Sequence, residues 1–199
     1  MTNLAPSNVN PYPNRTLPVG RLNYPCVFKV NRVAAALELG EKELMYEVPN
    51  LIGKPGIYCN LGELYGGSSI LMALSIKNSG LNAKVYTVDC DKNALAQSKN
   101  NYVRHGVENF IVQYEGTTDA WSGMFRNRGE KFQFVFIDAD HSFKNTHNDI
   151  LNYRPLIEPG GLLGFHDTNQ DGVNQAIEQA KVDWELVEWV NRIKLFRKP

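Results

Sequence analysis

Short apolar runs alternate with longer helical patterns between residues 56 and 181, and this alternation restricts the possible folds more than any other feature. The strand-like runs read GIYCNL, AKVYTVD, NFIVQYE, FQFVFID and GLLGFHD. The helical patterns that follow them read SSILMALSIKNSG, KNALAQSKNNYVRHG, a short segment near residues 119–126, KNTHNDILNYRPL and GVNQAIEQAK. Strands joined through helices run parallel with right-handed crossovers, so the pattern predicts an α/β fold with a doubly wound parallel sheet.

The last two strand-like runs, WELVEWV and RIKLFRK, are separated by little more than Asn191. A parallel crossover needs a longer connection, so these runs are expected to form an antiparallel hairpin at the end of the sheet. Upstream of the alternating region, the text VAAALELGEKELMYEV over residues 33–48 predicts a helix. Two short helices that meet at Gly40 are an open alternative.

The chain is long enough for one good hydrophobic core, because 199 residues with 43% apolar content suit a single domain better than two. Five prolines among the first 25 residues exclude a regular helix there. We therefore predict a Pro/Asn-rich arm over residues 1–30 and a single domain over residues 31–199. Arms of this kind often pack on a neighbouring subunit, which leaves a homo-oligomer through the arm as an open alternative.

Charge and hydropathy narrow the expected partners and location. Lys+Arg and Asp+Glu are equal at 21 each, so no net charge attracts a polyanion, and nucleic acid is not the expected partner. No signal peptide and no membrane-spanning apolar run is visible, which favours a cytoplasmic protein without a membrane partner. Cys26, Cys59 and Cys90 are odd in number and widely spaced, so we interpret them as core or near-core thiols rather than disulfide or zinc cysteines.

A glycine-rich turn, NLGELYGGSS over residues 60–69, follows the first predicted strand of the sheet. Glycines at this point let the backbone approach a ligand, and the next helix offers free N–H groups to a carboxylate or phosphate. Ser68 at the start of that helix is either a ligand-binding residue or an ordinary N-cap. Asp89 ends the second strand, where a carboxylate can accept both hydroxyls of a ribose. Together these features predict a ligand that contains adenosine.

Two acidic clusters are expected to face each other across the ligand crevice. Asp138 ends the fourth strand within VFIDADHSF, and the fifth strand runs into His166, Asp167 and Thr168. Close carboxylates repel unless a cation neutralises them, so Asp138 and Asp167, with His166, are candidate ligands for Mg²⁺ or another divalent cation. His141 is a candidate base for proton removal from a hydroxyl. Alternatively, His141 caps the following helix, which is also the expected role of Asp140.

The text IYCNLGELYGGSSILMA, followed by VYTVD, EGTTD, FVFIDADHSF and EPGGLLGFHDT, resembles the class I S-adenosylmethionine-dependent methyltransferases. It is most similar to the small O-methyltransferases that include the catechol, caffeoyl-CoA and macrolide-sugar enzymes. The resemblance covers about residues 40–198 and implies a Rossmann-like sheet of seven strands that ends in the antiparallel hairpin.

The resemblance also implies roles for individual residues. Gly62 and Gly66 would face the methionine part of S-adenosylmethionine, Ser68 its carboxylate and Asp89 its ribose. Thr117 and Thr118 fall where the family contacts adenine, with Asp119 as a further candidate. His141 stands where relatives carry a catalytic Lys or His, whereas Asn60 stands where the family usually has Glu or Asp. The cofactor-binding positions implied in this way are Asn60, Gly62, Gly66, Ser68, Asp89, Thr117, Thr118 and Asp138.

The predicted function is transfer of a methyl group from S-adenosylmethionine to a hydroxyl of a small molecule or sugar, with metal assistance left open. Two alternatives stand beside it. One is a catalytically silent cofactor-binding protein, which Asn60 and the irregular set of His166, Asp167 and Thr168 would suit. The other is a NAD-linked or nucleotide-sugar oxidoreductase, against which the missing GxGxxG motif and the terminal hairpin both argue.

Overall fold

The computed structural model of the chain describes Val30 and residues 32–199. The predicted arm, apart from Val30, lies outside the described residues, and so do Cys26 and any contact that the arm makes with a neighbouring subunit.

Seven strands form one sheet in the described part of the chain, in the order β3-β2-β1-β4-β5-β7-β6. The strands are β1 (Gly56–Leu61), β2 (Ala83–Asp89), β3 (Ile111–Glu115), β4 (Phe132–Ile137), β5 (Ile157–Phe165), β6 (Glu185–Val190) and β7 (Ile193–Arg197). Strands β1 to β5 pair in parallel, whereas β7 runs antiparallel to both β5 and β6. The predicted doubly wound sheet with a terminal antiparallel hairpin is confirmed.

In the part of the chain that the structure describes from Leu39 onward, six α-helices connect and cover the strands. They are α1 (Leu39–Ile52), α2 (Gly67–Ser79), α3 (Lys92–His105), α4 (Thr118–Asn127), α5 (Phe143–Tyr153) and α6 (Asp171–Gln179). Glycines in the left-handed conformation end α2 and α3, as the sequence predicts, because Gly80 has φ 69° and Gly106 has φ 61°. Among the helices described here, none combines the length and the apolar character that a membrane span requires.

The sheet separates two hydrophobic layers. Neighbouring strand residues point to opposite faces, so Tyr58 belongs to the layer under α1 and α2, and Cys59 to the layer under α4, α5 and α6. Phe134 and Val135 on β4 divide in the same way. Burial on both faces explains why the central strands are almost continuously apolar.

Three predictions of local structure were wrong. The helix predicted over residues 33–48 is α1, which starts only after Glu38, because Glu38 and Glu41 form a reciprocal capping box at that point. Gly40 lies in the first turn of α1, so the alternative of two helices that meet there is also wrong. Cys59 is buried as predicted, but Cys90 follows the end of β2 and is exposed.

Candidate active site

The turn between β1 and α2 packs directly against the end of β4. Gly62 has φ 92°, and a Cβ atom at this position would lie 2.3 Å from the main-chain oxygen of Asp138. Gly66 has φ 82° and forms the N-cap of α2. A Cβ on Gly67 would lie 2.2 Å from the Cβ of Ala35. The glycines are therefore required because the backbone turns in the left-handed region and neighbouring segments approach closely.

Two adjoining cavities form one crevice along the carboxyl ends of the parallel strands. Their volumes are about 330 and 500 Å³, and Gly62, Asp89 and Ala139 line both of them. The first cavity is called the near cavity, and its polar lining residues include Glu63, Ser68, Asp91, Asp138, His141, His166, Asp167 and Arg192. The second cavity is called the far cavity, and its polar lining residues include Thr117, Thr118, Asp119, Asp140, Asn145, Asn148 and Asp149. An open α/β sheet binds its ligands in this place, where the strand order reverses beside β1.

Six of the eight predicted cofactor positions line this crevice: Gly62, Ser68, Asp89, Thr117, Thr118 and Asp138. Asp89 joins the two cavities, and its carboxylate accepts hydrogen bonds of 2.7 Å from the backbone N–H groups of Glu63 and Asp91. Gly66 is outside the lining and shapes the turn instead. The cofactor roles of all eight residues stay predictions.

The far cavity combines helix caps with a buried carboxyl. The hydroxyl of Thr117 caps α4 by accepting a hydrogen bond from the N–H of Ala120. Thr118 donates a 2.5 Å hydrogen bond to Asp149, and burial raises the pKa of Asp149 to about 6. The edge of this cavity thus carries hydroxyls and carboxylates, which can accept hydrogen bonds from an exocyclic amino group.

Asn60 does not face the crevice. Its side chain is buried and donates hydrogen bonds to the carbonyl of Gly62 at 2.7 Å, to Ser69 at 3.2 Å and to Glu63 at 3.2 Å. This amide therefore stabilises the inside of the glycine turn, and any effect of Asn60 on the cofactor acts through the turn.

Glu63 places a carboxyl inside the glycine turn, 3.2 Å from the side-chain amide of Asn60. Its side chain is buried and accepts hydrogen bonds from Asn60, Ser69, Thr87 and Tyr102. Burial raises the pKa of Glu63 to about 7, against the lowering effect of these hydrogen bonds. The sequence interpretation missed Glu63, although an acid inside the glycine-rich text, three residues after Asn60, was a visible signal.

In the near cavity, His166 follows directly after β5 and lies between two carboxylates. Its Nδ1 atom is 2.9 Å from Oδ1 of Asp138, and its Nε2 atom is 3.5 Å from Oε2 of Glu41. Burial by itself lowers the pKa of His166, but the nearby carboxylates of Asp138 and Glu41 raise it to about 9. Burial correspondingly raises the pKa of Glu41, whereas the nearby imidazole of His166 and hydrogen bonds from backbone groups lower it to about 2. The pair is therefore ionised at neutral pH.

On the β5 side, Asp167 lies between an arginine and a histidine. Oδ1 of Asp167 is 2.8 Å from Nη1 of Arg192, and Oδ2 is 3.0 Å from Nε2 of His141. The Nε2 atom of His141 also lies 3.7 Å from Oδ1 of Asp138. Asp138 and Asp167 together raise the pKa of His141. Asp138 and Asp167, from two neighbouring strands, thus meet at one imidazole.

A closed ring of alternating acidic and basic side chains, called the charge ring, results from these contacts. Arg192 completes it, because its Nη2 atom lies 3.1 Å from Oε2 of Glu41. The order around the ring is Asp138, His166, Glu41, Arg192, Asp167 and His141. Sequence reasoning found four members and missed Glu41 and Arg192, which lie in α1 and in the hairpin turn. Only the folded chain brings these two segments to the strand ends.

Within the described residues, one group of side chains has donor atoms close enough to hold a metal ion. Asp138, His141 and Asp167 offer such atoms within 4.8 Å of one another. The predicted ligand set contained His166 in place of His141. Because His166 hydrogen-bonds to Asp138 and pairs with Glu41, it orients the carboxylate, and its role as a ligand stays a prediction. Two carboxylates and an imidazole suit a divalent cation in chemical type.

Asp140 does not cap α5 as the sequence predicts, but its carboxylate stabilises the turn before that helix. Its carboxylate accepts hydrogen bonds from the N–H of Ser142 at 2.6 Å and from the side chain of Asn145 at 3.0 Å. Ser142 itself is the N-cap of α5, so His141 does not cap this helix.

Comparison with known sequences matches residues 59–168 to the family described as "Methyltransferase domain". Rhamnosyl O-methyltransferases of Mycobacterium bovis and Mycobacterium tuberculosis are 26% identical over 122 residues, which covers 60% of this chain and 48% of each relative. The matched region thus spans about half the length of these relatives.

Comparison with solved structures gives the same fold. An O-methyltransferase from Bacillus cereus, solved in complex with SAH, has a TM-score of 0.67 at 17% identity and covers 90% of this chain and 94% of its own. The O-methyltransferase TomG from Streptomyces achromogenes, solved with SAM, has a TM-score of 0.66 at 13% identity, with 89% and 92% covered. Because the family match includes both the glycine turn and the end of β4, and extends over more than half of the chain, the protein belongs to the methyltransferase-domain family.

Proposed function

We propose that this protein is an S-adenosylmethionine-dependent O-methyltransferase that methylates a hydroxyl of a sugar or small molecule. One observation carries the proposal: the crevice with the predicted cofactor residues continues into the cavity where His141 lies between two carboxylates. A bound methyl donor and a base would therefore meet at one place. We also propose that residues 31–199 form a single methyltransferase domain preceded by the arm.

The crevice residues have the chemistry that the cofactor needs. The glycine turn and the free N–H groups at the start of α2 can receive the carboxylate of the methionine part, with Ser68 beside them. Asp89 joins the two cavities, where its carboxylate can accept the ribose hydroxyls. Thr117 and Thr118 line the far cavity, which is the proposed binding place of adenine. The carboxylates around Asp138 favour the positive charge of the sulfonium.

His141 is the proposed base. A hydroxyl oxygen that attacks the methyl group forms a C–O bond while the S–CH₃ bond breaks, and its proton passes to the imidazole. The imidazolium formed is stabilised by Asp138 and Asp167, which raise the pKa of His141. Asp167, at 3.0 Å, also holds the ring in one orientation.

A sugar hydroxyl is the proposed acceptor. Besides His141, the lining of the near cavity contains both hydrogen-bond donors and hydrogen-bond acceptors. This lining suits hydroxyl groups, because each hydroxyl can donate and accept a hydrogen bond. The relatives from Mycobacterium are named rhamnosyl O-methyltransferases, which supports a deoxyhexose unit as the first acceptor to test.

Metal assistance is a second candidate for the same reaction, favoured by the donor atoms of Asp138, His141 and Asp167 that lie within 4.8 Å. A divalent cation held there would lower the pKa of an acceptor hydroxyl. His166 and Arg192 already pair with the two carboxylates, so they would compete with the cation.

Calorimetry and a methylation assay test the proposal together. Purified protein should bind S-adenosylmethionine but not NAD, and should convert it to S-adenosylhomocysteine when a rhamnoside is added, with the new methyl on a sugar oxygen by mass spectrometry. Parallel reactions with EDTA and with added Mg²⁺ decide the role of metal. Absence of cofactor binding would refute the proposal, and binding without turnover on a panel of glycosides and phenols would favour the silent cofactor-binding protein.

A further inference from the structure

We propose that Arg192, in the turn of the β6–β7 hairpin, is a positioning residue of the methyl transfer, because it holds Asp167 against His141. The inference rests on the proposed function and extends it to the β6–β7 hairpin, whose Arg192 lines the near cavity. Arg192 lies in the two-residue connection between β6 and β7, beside Asn191, which has φ 51°.

The turn that carries Arg192 is tied to the site through its backbone. The carbonyl oxygen of Arg192 accepts hydrogen bonds of 3.0 Å from the N–H and from the hydroxyl of Thr168. Its own N–H donates to Oε1 of Glu41 at 3.1 Å, and the side chain of Asn191 donates to Glu38 at 2.7 Å. The hairpin turn is thus attached both to the start of α1 and to the segment after β5.

The guanidinium of Arg192 bridges two carboxylates from different elements. Nη1 lies 2.8 Å from Oδ1 of Asp167, and Nη2 lies 3.1 Å from Oε2 of Glu41. Nη2 also donates to the carbonyl oxygen of Ala36 at 3.3 Å. A planar fork with fixed donor directions sets the orientation of a carboxylate in a way that a lysine ammonium does not.

Asp167 transmits this orientation to His141. One oxygen of the Asp167 carboxylate pairs with Arg192, and the other lies 3.0 Å from Nε2 of His141. Asp167 has φ 50°, in the left-handed region that is uncommon for residues with a side chain, although Asp adopts it more readily than most. Without Arg192, this carboxylate loses the partner that fixes its direction, so the imidazole loses its support.

Steady-state kinetics with the acceptor found for the wild type test this role. In Arg192→Gln, misplacement of the base should lower kcat by about 100-fold, while the dissociation constant of S-adenosylmethionine and the KM of the acceptor stay unchanged. Arg192→Lys should recover only part of the loss. Added guanidinium chloride should raise the rate of Arg192→Ala and leave the wild type unaffected.

Arg197→Gln is the matched control. Arg197 is also a hairpin arginine, but it donates to the backbone of Gly160 at 3.0 Å and does not line either cavity described above. A wild-type kcat in folded Arg192→Gln, or an equal loss in Arg197→Gln, would overturn the proposal. If Arg192→Gln does not fold, Arg192→Lys carries the comparison.

A crystal structure of Arg192→Gln separates failure of this inference from failure of the proposed function. If the wild type methylates no acceptor, the proposed function is wrong. The crystal structure of Arg192→Gln still shows whether Arg192 positions Asp167 against His141. Loss of the contact between Asp167 and His141 supports positioning, whereas a contact that stays at 3.0 Å refutes it.

Discussion

His141 and the two carboxylates beside it define the chemistry at the scale of single residues. The Nε2 atom of His141 lies 3.0 Å from Asp167 and 3.7 Å from Asp138, at the end of the crevice that the cofactor is proposed to fill. These distances place the imidazole within reach of carboxylates that would stabilise its protonated form.

Replacement of His141 by Ala should lower kcat by about 10²- to 10⁴-fold, the range typical for loss of a general base. Binding of S-adenosylmethionine should persist, because the glycine turn and Asp89 are untouched. Calorimetry and turnover assays measure the two effects separately. His105→Ala is the control, since His105 lies at the last residue of α3 and lines neither cavity described above. Wild-type turnover in His141→Ala would remove the proposed base.

Glu63 predicts a pH dependence of stability. The carboxyl has an ordinary pKa of 4.5, and burial raises it to about 7 in the folded chain. The folded state therefore keeps a proton that the unfolded state loses above pH 4.5. Stability from this group is complete below pH 4.5 and is lost as the pH rises towards 7, by a total of about 3 kcal/mol.

The measurement is the free energy of unfolding in urea at several pH values, for the wild type and Glu63→Gln. In Glu63→Gln, the free energy of unfolding should lack the decrease between pH 4.5 and 7 that Glu63 causes in the wild type. Asp149, with its pKa raised to about 6, contributes in the same direction to both proteins and cancels in the difference. The exposed Glu115 provides a control, because Glu115→Gln should retain the wild-type slope. Equal slopes in wild type and Glu63→Gln would contradict the assignment.

At the scale of elements, the β1–α2 turn is the connection that positions the site. Gly62→Ala puts a Cβ atom 2.3 Å from the backbone oxygen of Asp138, at φ 92°. Either the end of β4 or the turn must shift to relieve this clash, and both line the crevice. We expect a loss of about 2 to 4 kcal/mol in unfolding free energy, and no measurable cofactor binding.

Gly80→Ala is the matched control for the turn. Gly80 has φ 69° at the other end of α2, and a Cβ there meets no atom within 4 Å. Its cost should be about 1 kcal/mol from the left-handed backbone alone, with cofactor binding unchanged. Thermal unfolding and calorimetry on both variants test the difference, and intact cofactor binding by Gly62→Ala would count against the crevice as the cofactor site.

At the scale of the whole molecule, the crevice joins the ends of β1, β2, β4 and β5, so a ligand that fills it should stabilise the complete domain. At a free S-adenosylmethionine concentration of 100 times Kd, unfolding should cost about 2.7 kcal/mol more than without ligand. Urea unfolding with and without cofactor measures this. EDTA should not change this increase in unfolding free energy, since the proposed cofactor contacts are backbone groups, hydroxyls and carboxylates. An increment that disappears in EDTA would instead make metal part of the cofactor site.

Local patterns explain why the elements of the sheet were predictable. The strand AKVYTVD and the helix that ends before Gly106 are found where apolar periodicity and a glycine cap indicate them. The start of α1 was missed because alanine-rich text predicts helix from propensity alone, whereas the capping box of Glu38 and Glu41 decides the actual first turn.

The sequence by itself determined the parallel sheet, the terminal hairpin and the position of Gly62, Asp89 and Asp138 at strand ends. These follow from periodicity and from short connections, which are local properties. Only the tertiary structure decided that Glu41 and Arg192, 151 residues apart, complete the charge ring with His166 and Asp167. Ion pairs between distant segments depend on how α1 and the hairpin pack beside β5, and no local pattern encodes that packing.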